Sequence, residues 1–283
     1  PKNKTVVFRY YADAAAAANA LASGEIDLDT AATPDGIDRF SKDANFSLVE
    51  GSSASWMTLG FNHQDPVLKE LKVRQAIRQG IDKAGLIKVM GAPAERVGSM
   101  SVPDDPWFKD LTAVDEYDPD AARKLLKEAG HEKLTLNFEV ANTYDSKIGE
   151  YIAAQLKEIG ITVKIKQMEF ATWLEKVYTK GDYQMTMVLH VDPWTLTYYG
   201  NPKYYWKYDS KEAQKLYKDA MSAETKEEGY KMLTQLSELI SKDAASDWLY
   251  APRTAIIASK KVAGFPSNRI GSQFFVFDLQ KAS

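Results

Sequence analysis

The chain has 283 residues, 45% of them hydrophobic and 27% charged, with no cysteine and a formal net charge of −3. The length leads to an expectation of about two domains, each able to bury its own core. Interspersed charges leave no basic footprint for nucleic acid, the lack of cysteine excludes disulfides and thiol chemistry, and no apolar run approaches the roughly 18 residues that cross a bilayer.

In chain order, "KTVVFRYY" (4–11) is rich in β-branched and aromatic residues and reads as a strand. Asp13 can cap a helix that Gly24 ends, and "EIDLDTA" resumes as a short strand, so a parallel β-α-β pair is expected. "SASWMTLGFN" (53–62) is a densely apolar strand. After Asn62 the texture turns helical. Val73, Ala76, Ile77, Gly80 and Ile81 share one helical face, and Asp82 caps a second helix ending at Gly91. Residues 91–108 carry three prolines and little periodicity, which marks a long loop of the kind that often has a function.

"YDPDAARKLLKEAG" (117–130) specifies one short helix. Asp118 caps it, Pro119 fits its first turn, Ala122, Leu125, Leu126 and Ala129 form its apolar stripe, and Gly130 stops it. A β-α-β unit follows. Leu134, Leu136, Phe138 and Val140 alternate along a strand, a helix spans about 146–159, and "ITVKIK" alternates again. A helix near 171–178, a strand at 183–190, helices near 211–222 and 226–244, and the strand-like "DWLYAP" and "TAIIAS" complete an α/β chain. Its character breaks near Asn62 and near Tyr250.

Chemistry is sparse. His63, His131 and His190 are scattered, with no spacing for a metal site. "GSSAS" (51–55) lacks nucleophile-elbow spacing, and "GAPAERVG" lacks the lysine and hydroxyl of a phosphate loop. No cofactor, no metal and no enzymatic activity are therefore expected. One stretch stands out: "HVDPWTLTYYGNPKYYWKYD" (190–209) follows a strand directly and holds seven Tyr and Trp residues. Ligands of open α/β sheets bind beyond the carboxyl ends of strands, so these aromatics serve either a ligand or the packing between domains. Asp192, followed by Pro193, can pair with a ligand ammonium or accept sugar hydroxyls, although local grounds favour a turn cap. Trp56 belongs by default to the core, with a cleft as the alternative.

Several segments in order carry a resemblance: "LASGEID", "LGFNHQDPVLKELKVRQAIRQGIDKAGLIKVMGAPA", "YDPDAARKLLKEAG", "GEYIAAQLKEIGITVKIKQM", "GDYQMTMVLHVDP" and "WLYAPRTAIIASKKVAGF". Together they resemble the family 5 extracellular solute-binding proteins of ABC transporters, whose members include peptide, nickel and oligosaccharide binders. The resemblance implies a type II periplasmic-binding-protein-like fold of two lobes, with one lobe complete and the other partial. Residues 62–249 would form the complete second lobe. Residues 1–61 and 250–283 would belong to the first, with hinge crossings near 61–63 and 249–250. The family is longer at its N-terminus, so the chain, which opens without an initiator methionine or a signal peptide's apolar core, is expected to be a processed product or an excised piece.

The function so implied is capture of an oligopeptide or oligosaccharide between two lobes and its delivery to a membrane permease. A monomer is expected, extracytoplasmic and lipid-anchored in the full-length protein. In peptide-binding members an aspartate after the strand resembling 183–190 pairs with the ligand's α-ammonium, and Asp192 matches it, with Leu189 where the family often has tryptophan. Trp56, Ser99, Ser101, Asp192, Trp194 and Tyr198 are the expected ligand-facing residues. Two other readings are a solute-sensing domain of a transcriptional regulator, which shares the fold, and a hydrolase or lyase, for which no motif is present.

Overall fold

The computed structural model describes residues 2–192, 194–268 and 274–282. Helix α1 (Ala14–Ser23) forms where its signals lie: Asp13 accepts the amide of Ala16 at 2.8 Å and Gly24 closes it in the left-handed conformation. The preceding 4–11 segment, expected to be a strand, has no regular structure, and Val7, Phe8 and Tyr10 are exposed. A strand persists only where another strand takes up its backbone groups, and none pairs with this segment among the described residues. The expected parallel β-α-β opening is therefore absent. Strand β1 (Leu28–Asp29) instead runs antiparallel to a strand near the other end of the chain.

Helix α2 (Pro34–Phe40) leads to β2 (Phe46–Gly51), which sequence reasoning missed, and then to β3 (Trp56–Phe61). Helices α3 (Leu71–Gln79) and α4 (Lys83–Met90) follow, and the long loop contains only the two-residue β4 (Ala94–Glu95). Helix α5 (Pro119–Glu128) is capped by Asp118 through the amides of Asp120 and Ala121. Its stripe of Ala122 and Leu126 lies in the core, so this helix is scaffold. Strand β5 (Leu134–Ala141), helix α6 (Ser146–Glu158) and strand β6 (Ile161–Met168) make the expected parallel unit, paired from Leu134↔Ile161 to Ala141↔Met168.

Helix α7 (Phe170–Trp173) continues as a π-helix (Leu174–Thr179), and β7 (Met185–His190) follows. A 3-10 turn at Thr195–Tyr198 leads to α8 (Lys211–Met221), α9 (Lys226–Lys242), β8 (Ser246–Pro252) and β9 (Thr254–Ser259). The short strands β10 (Val262–Ala263) and β11 (Gln280–Lys281) pair antiparallel.

The large sheet has the order β4-β8-β3-β7-β5-β6, and β1-β9-β2 forms a small one. Alternation along the large sheet serves two cores. Met57, Leu59 and Phe61 point to the side of α3, α5 and α6, while Trp56 points to an aromatic-rich core with Trp173, Trp206, Trp248 and α9. The small sheet has its own cluster of Ala18, Leu21, Phe40 and Ile257.

The chain passes between the sheets at 52–55 and at Arg253, not at 61–63 and 249–250. The two passages are adjacent, since Gly51 pairs with Thr254. The physical reason lies in β3. It is bordered by β7 and β8 and covered on both faces, so all six of its residues are buried. The dense apolar run in the sequence is that of a central strand of the large sheet, which extends the 62–249 unit back to residue 56 and on to residue 252.

Candidate functional site

The site lies where β7 ends. His190 pairs with Trp56 of β3 and is buried. Desolvation pushes the His190 imidazole down to about 3 despite the charge of Asp192, so the ring is neutral. Its Nε2 lies 3.3 Å from the Tyr204 hydroxyl, and its Nδ1 is buried without a hydrogen-bond partner.

Asp192 stands two residues beyond the strand and is exposed. Its Oδ1 accepts the backbone amide of Trp194 at 2.9 Å, and its Oδ2 accepts the Tyr198 hydroxyl at 3.3 Å. The first bond is the Asx-type turn contact expected of a cap. It occupies one oxygen and leaves the carboxylate at the surface. No ion pair involves Asp192 among the described residues, so its charge is uncompensated by any side-chain cation there. Burial first, and then the Asp192 charge, push the Tyr198 hydroxyl up to about 12, which keeps it a donor. Pro193, between these residues, lies outside the described residues.

The aromatic run divides into two groups. Tyr199, Tyr205, Trp206 and Tyr208 are buried and pack the second core. Tyr198 and Tyr204 are partly exposed and stack face to face, with centroids 4.2 Å apart and planes 4° apart. Trp194 is 55% exposed, and one side of its indole is stacked on Trp107 at 6.0 Å and 23°. Trp107 itself is buried from the long loop, against Tyr230 of α9. The π-helix adds a further wall. Its Lys180 amide reaches back to Glu175, and this wider turn lets Val177 stay buried while Lys176 reaches Glu139 at 3.3 Å and Tyr178 lies edge-on to Tyr204 at 5.9 Å.

Of the six expected residues, Asp192, Trp194 and Tyr198 come together. Trp56, Ser99 and Ser101 do not share their exposure. Trp56 is 1% exposed and stands beside His190 across the β3–β7 pair, because β3 is an interior strand with both faces covered. Ser99 and Ser101 are buried and hydrogen-bonded to each other at 2.9 Å. Their loop folds inward there, since Ser241 of α9 holds the carbonyl of Gly98 at 2.7 Å. The same loop reaches the aromatic segment through Trp107, which sequence reasoning missed. Its signal was a lone tryptophan in an aperiodic, proline-rich stretch.

The site has an exposed carboxylate and aromatic faces, with the Tyr204 hydroxyl as the polar group against His190. Among the described residues no cluster of three or more His, Cys, Asp or Glu side chains converges. The family model for bacterial extracellular solute-binding proteins, family 5 Middle, matches residues 1–199. The chain belongs to this family.

A protein of Brucella ovis named for ABC transporter peptide binding is 33% identical over 188 residues, which cover 64% of this chain and 35% of that protein. The oligopeptide-binding protein AppA of Bacillus subtilis is 25% identical over 299 residues, covering 94% of this family 5 chain and 54% of AppA. The chain thus spans between about a third and about half of these relatives. The ABC transporter-associated periplasmic binding protein DppA from Helicobacter pylori, solved with the peptide STSA, superposes with a TM-score of 0.78 at 22% identity. That match covers 97% of this chain and 56% of DppA. The family 5 chain therefore has the expected α/β, periplasmic-binding-protein-like fold.

Proposed function

We propose that this family 5 chain belongs to a solute-binding protein of an ABC importer that works outside the cytoplasm, binds a small peptide and hands it to a membrane permease. The observation that carries this is Asp192, an exposed carboxylate at a strand's carboxyl end with no side-chain cation to neutralise it. An α-ammonium group supplies the missing charge, and Trp194 and Tyr198 flank it. Named relatives that bind peptides support the choice of solute. The role is binding without bond chemistry, with no resident cofactor, by a monomer.

In this reading the six-stranded unit is a complete lobe and the three-stranded sheet is part of the other. The paired passages at 52–55 and 253 serve as the hinge. Closure draws its energy from solute contacts that exist only when both lobes engage. Trp56 and His190 back the site, and Ser99 and Ser101 hold the loop that carries Trp107. The test is a thermal-shift screen of the protein as its gene encodes it, against di- to pentapeptides, their N-acetylated forms and oligosaccharides. Free-amine peptides should raise Tm and acetylated ones should not. A shift with oligosaccharides alone would refute the peptide assignment.

A further inference from the structure

Resting on the reading of Asp192 as an ammonium site, we infer that this site selects peptides whose first side chain is aromatic, with Trp194 and Tyr198 as the specificity-determining residues. The carboxylate is clamped between these two. One oxygen is held by the Trp194 amide at 2.9 Å and the other by the Tyr198 hydroxyl at 3.3 Å. A cation seated on this carboxylate therefore lies beside the Trp194 backbone and the Tyr198 hydroxyl, and a group attached to the ammonium-bearing carbon can reach the rings of these residues.

Both rings are backed. Trp194 rests on buried Trp107 at 6.0 Å and 23°, and Tyr198 rests on Tyr204 at 4.2 Å and 4°. A ring supported on one face and still 55% exposed, as Trp194 is, turns its other face outward. Because neighbouring rings hold them, these residues lose little conformational freedom when a ligand stacks on them, which is what makes Tyr and Trp effective anchors. Val191, also 51% exposed, extends the apolar surface on the strand side of the carboxylate. A single exposed tryptophan is unremarkable on a protein surface. Here its backbone amide holds an unneutralised carboxylate that the hydroxyl of a second supported ring also holds, and all three suit one occupant: a cation with a flat apolar group attached.

An added aromatic pair strengthens binding by about three- to tenfold beyond area burial. The experiment titrates the protein as its gene encodes it with Phe-Ala-Ala, Ala-Ala-Ala and N-acetyl-Phe-Ala-Ala by calorimetry, in the wild type and in Trp194→Ala and Trp194→Phe. Phe-Ala-Ala should bind at least threefold tighter than Ala-Ala-Ala in the wild type and in Trp194→Phe. In Trp194→Ala the two should converge within twofold. Equal wild-type affinities, or an equal loss for both peptides in Trp194→Ala, would overturn the inference. If acetylation still abolishes binding in that case, the ammonium reading stands alone. A retained Phe preference that ignores acetylation overturns the ammonium reading instead, and no binding of any of the three overturns both.

Discussion

Gly60 and Trp206 share one space. A Cβ on Gly60 would lie 2.5 Å from the indole Nε1 and 2.9 Å from Cδ1, so the tryptophan lies directly on the backbone of β3. Trp206 in turn meets His190 edge-on at 5.1 Å and Tyr204 at 4.9 Å, so the fit at Gly60 sets the floor beneath the proposed solute site.

Gly60→Ala should therefore force Trp206 to move, as overpacking does, and lower the unfolding free energy by about 1–3 kcal/mol. Urea unfolding checks this. A loss below about 0.5 kcal/mol would mean that the indole yields without cost.

A second prediction concerns charge in the scaffold. Asp247, 1% exposed, receives Lys83 at 3.2 Å and Arg78 at 3.6 Å, and Arg78 also meets Asp115 at 3.3 Å and stacks over Trp248. Burial lowers the Lys83 ammonium and raises the Asp115 carboxyl, and each opposing charge acts against that shift. Removing Asp247 leaves the buried Lys83 ammonium without its carboxylate in low dielectric, while Arg78 keeps Asp115. Asp247→Asn should cost about 3–5 kcal/mol in urea unfolding. Lys109→Ala, which removes the solvent-exposed pair with Glu238, should change stability by less than about 1 kcal/mol.

Stability should also fall in mild acid. Burial first, and then the Arg74 charge, lower the His63 imidazole to about 4, while burial lowers that of His190 to about 3. The unfolded chain takes up these protons near 6.5 and the folded one does not, so their contribution is complete above 6.5 and is lost as pH falls toward 4. Asp105, raised by burial to about 6, acts in the opposite direction over its own window, from about 6 down to 3.8. Burial also raises the Asp115 and Glu95 carboxyls, which act in the same direction as Asp105, but the two histidines, titrating near 6.5 in the unfolded chain, dominate the fall from pH 7 to pH 5. Urea midpoints should decline from pH 7 to pH 5, and less steeply in His63→Gln, which keeps a donor for the Ala245 carbonyl. A flat or rising profile in the wild type would contradict this.

Local signals were legible where the physics is local. Asp13, Asp82 and Asp118 cap the helices predicted for them, and β5-α6-β6 follows its alternation and its helical stripe. Signals that need a distant partner were not. The β-branched run at 4–11 has strand propensity but no paired strand, and β2 exists because β9 lies beside it. The sheet boundary was misplaced for the same reason, since β3 depends on β7 and β8, which lie more than 120 residues further along the chain. At the candidate site, the proximity of Asp192, Trp194 and Tyr198 was readable because they are near neighbours after one strand. Trp107 reaches Trp194 only through the folded loop and was not.

The most direct test of the account is the affinity of the gene-encoded protein for a free-amine peptide in the wild type and in Asp192→Asn, with unfolding followed in parallel. Asparagine keeps an oxygen for the Trp194 amide and removes the charge. If Asp192 pairs with an ammonium, binding should weaken by about 2–5 kcal/mol while stability changes by less than about 1 kcal/mol. Unchanged affinity would reduce Asp192 to a turn cap and contradict the central claim.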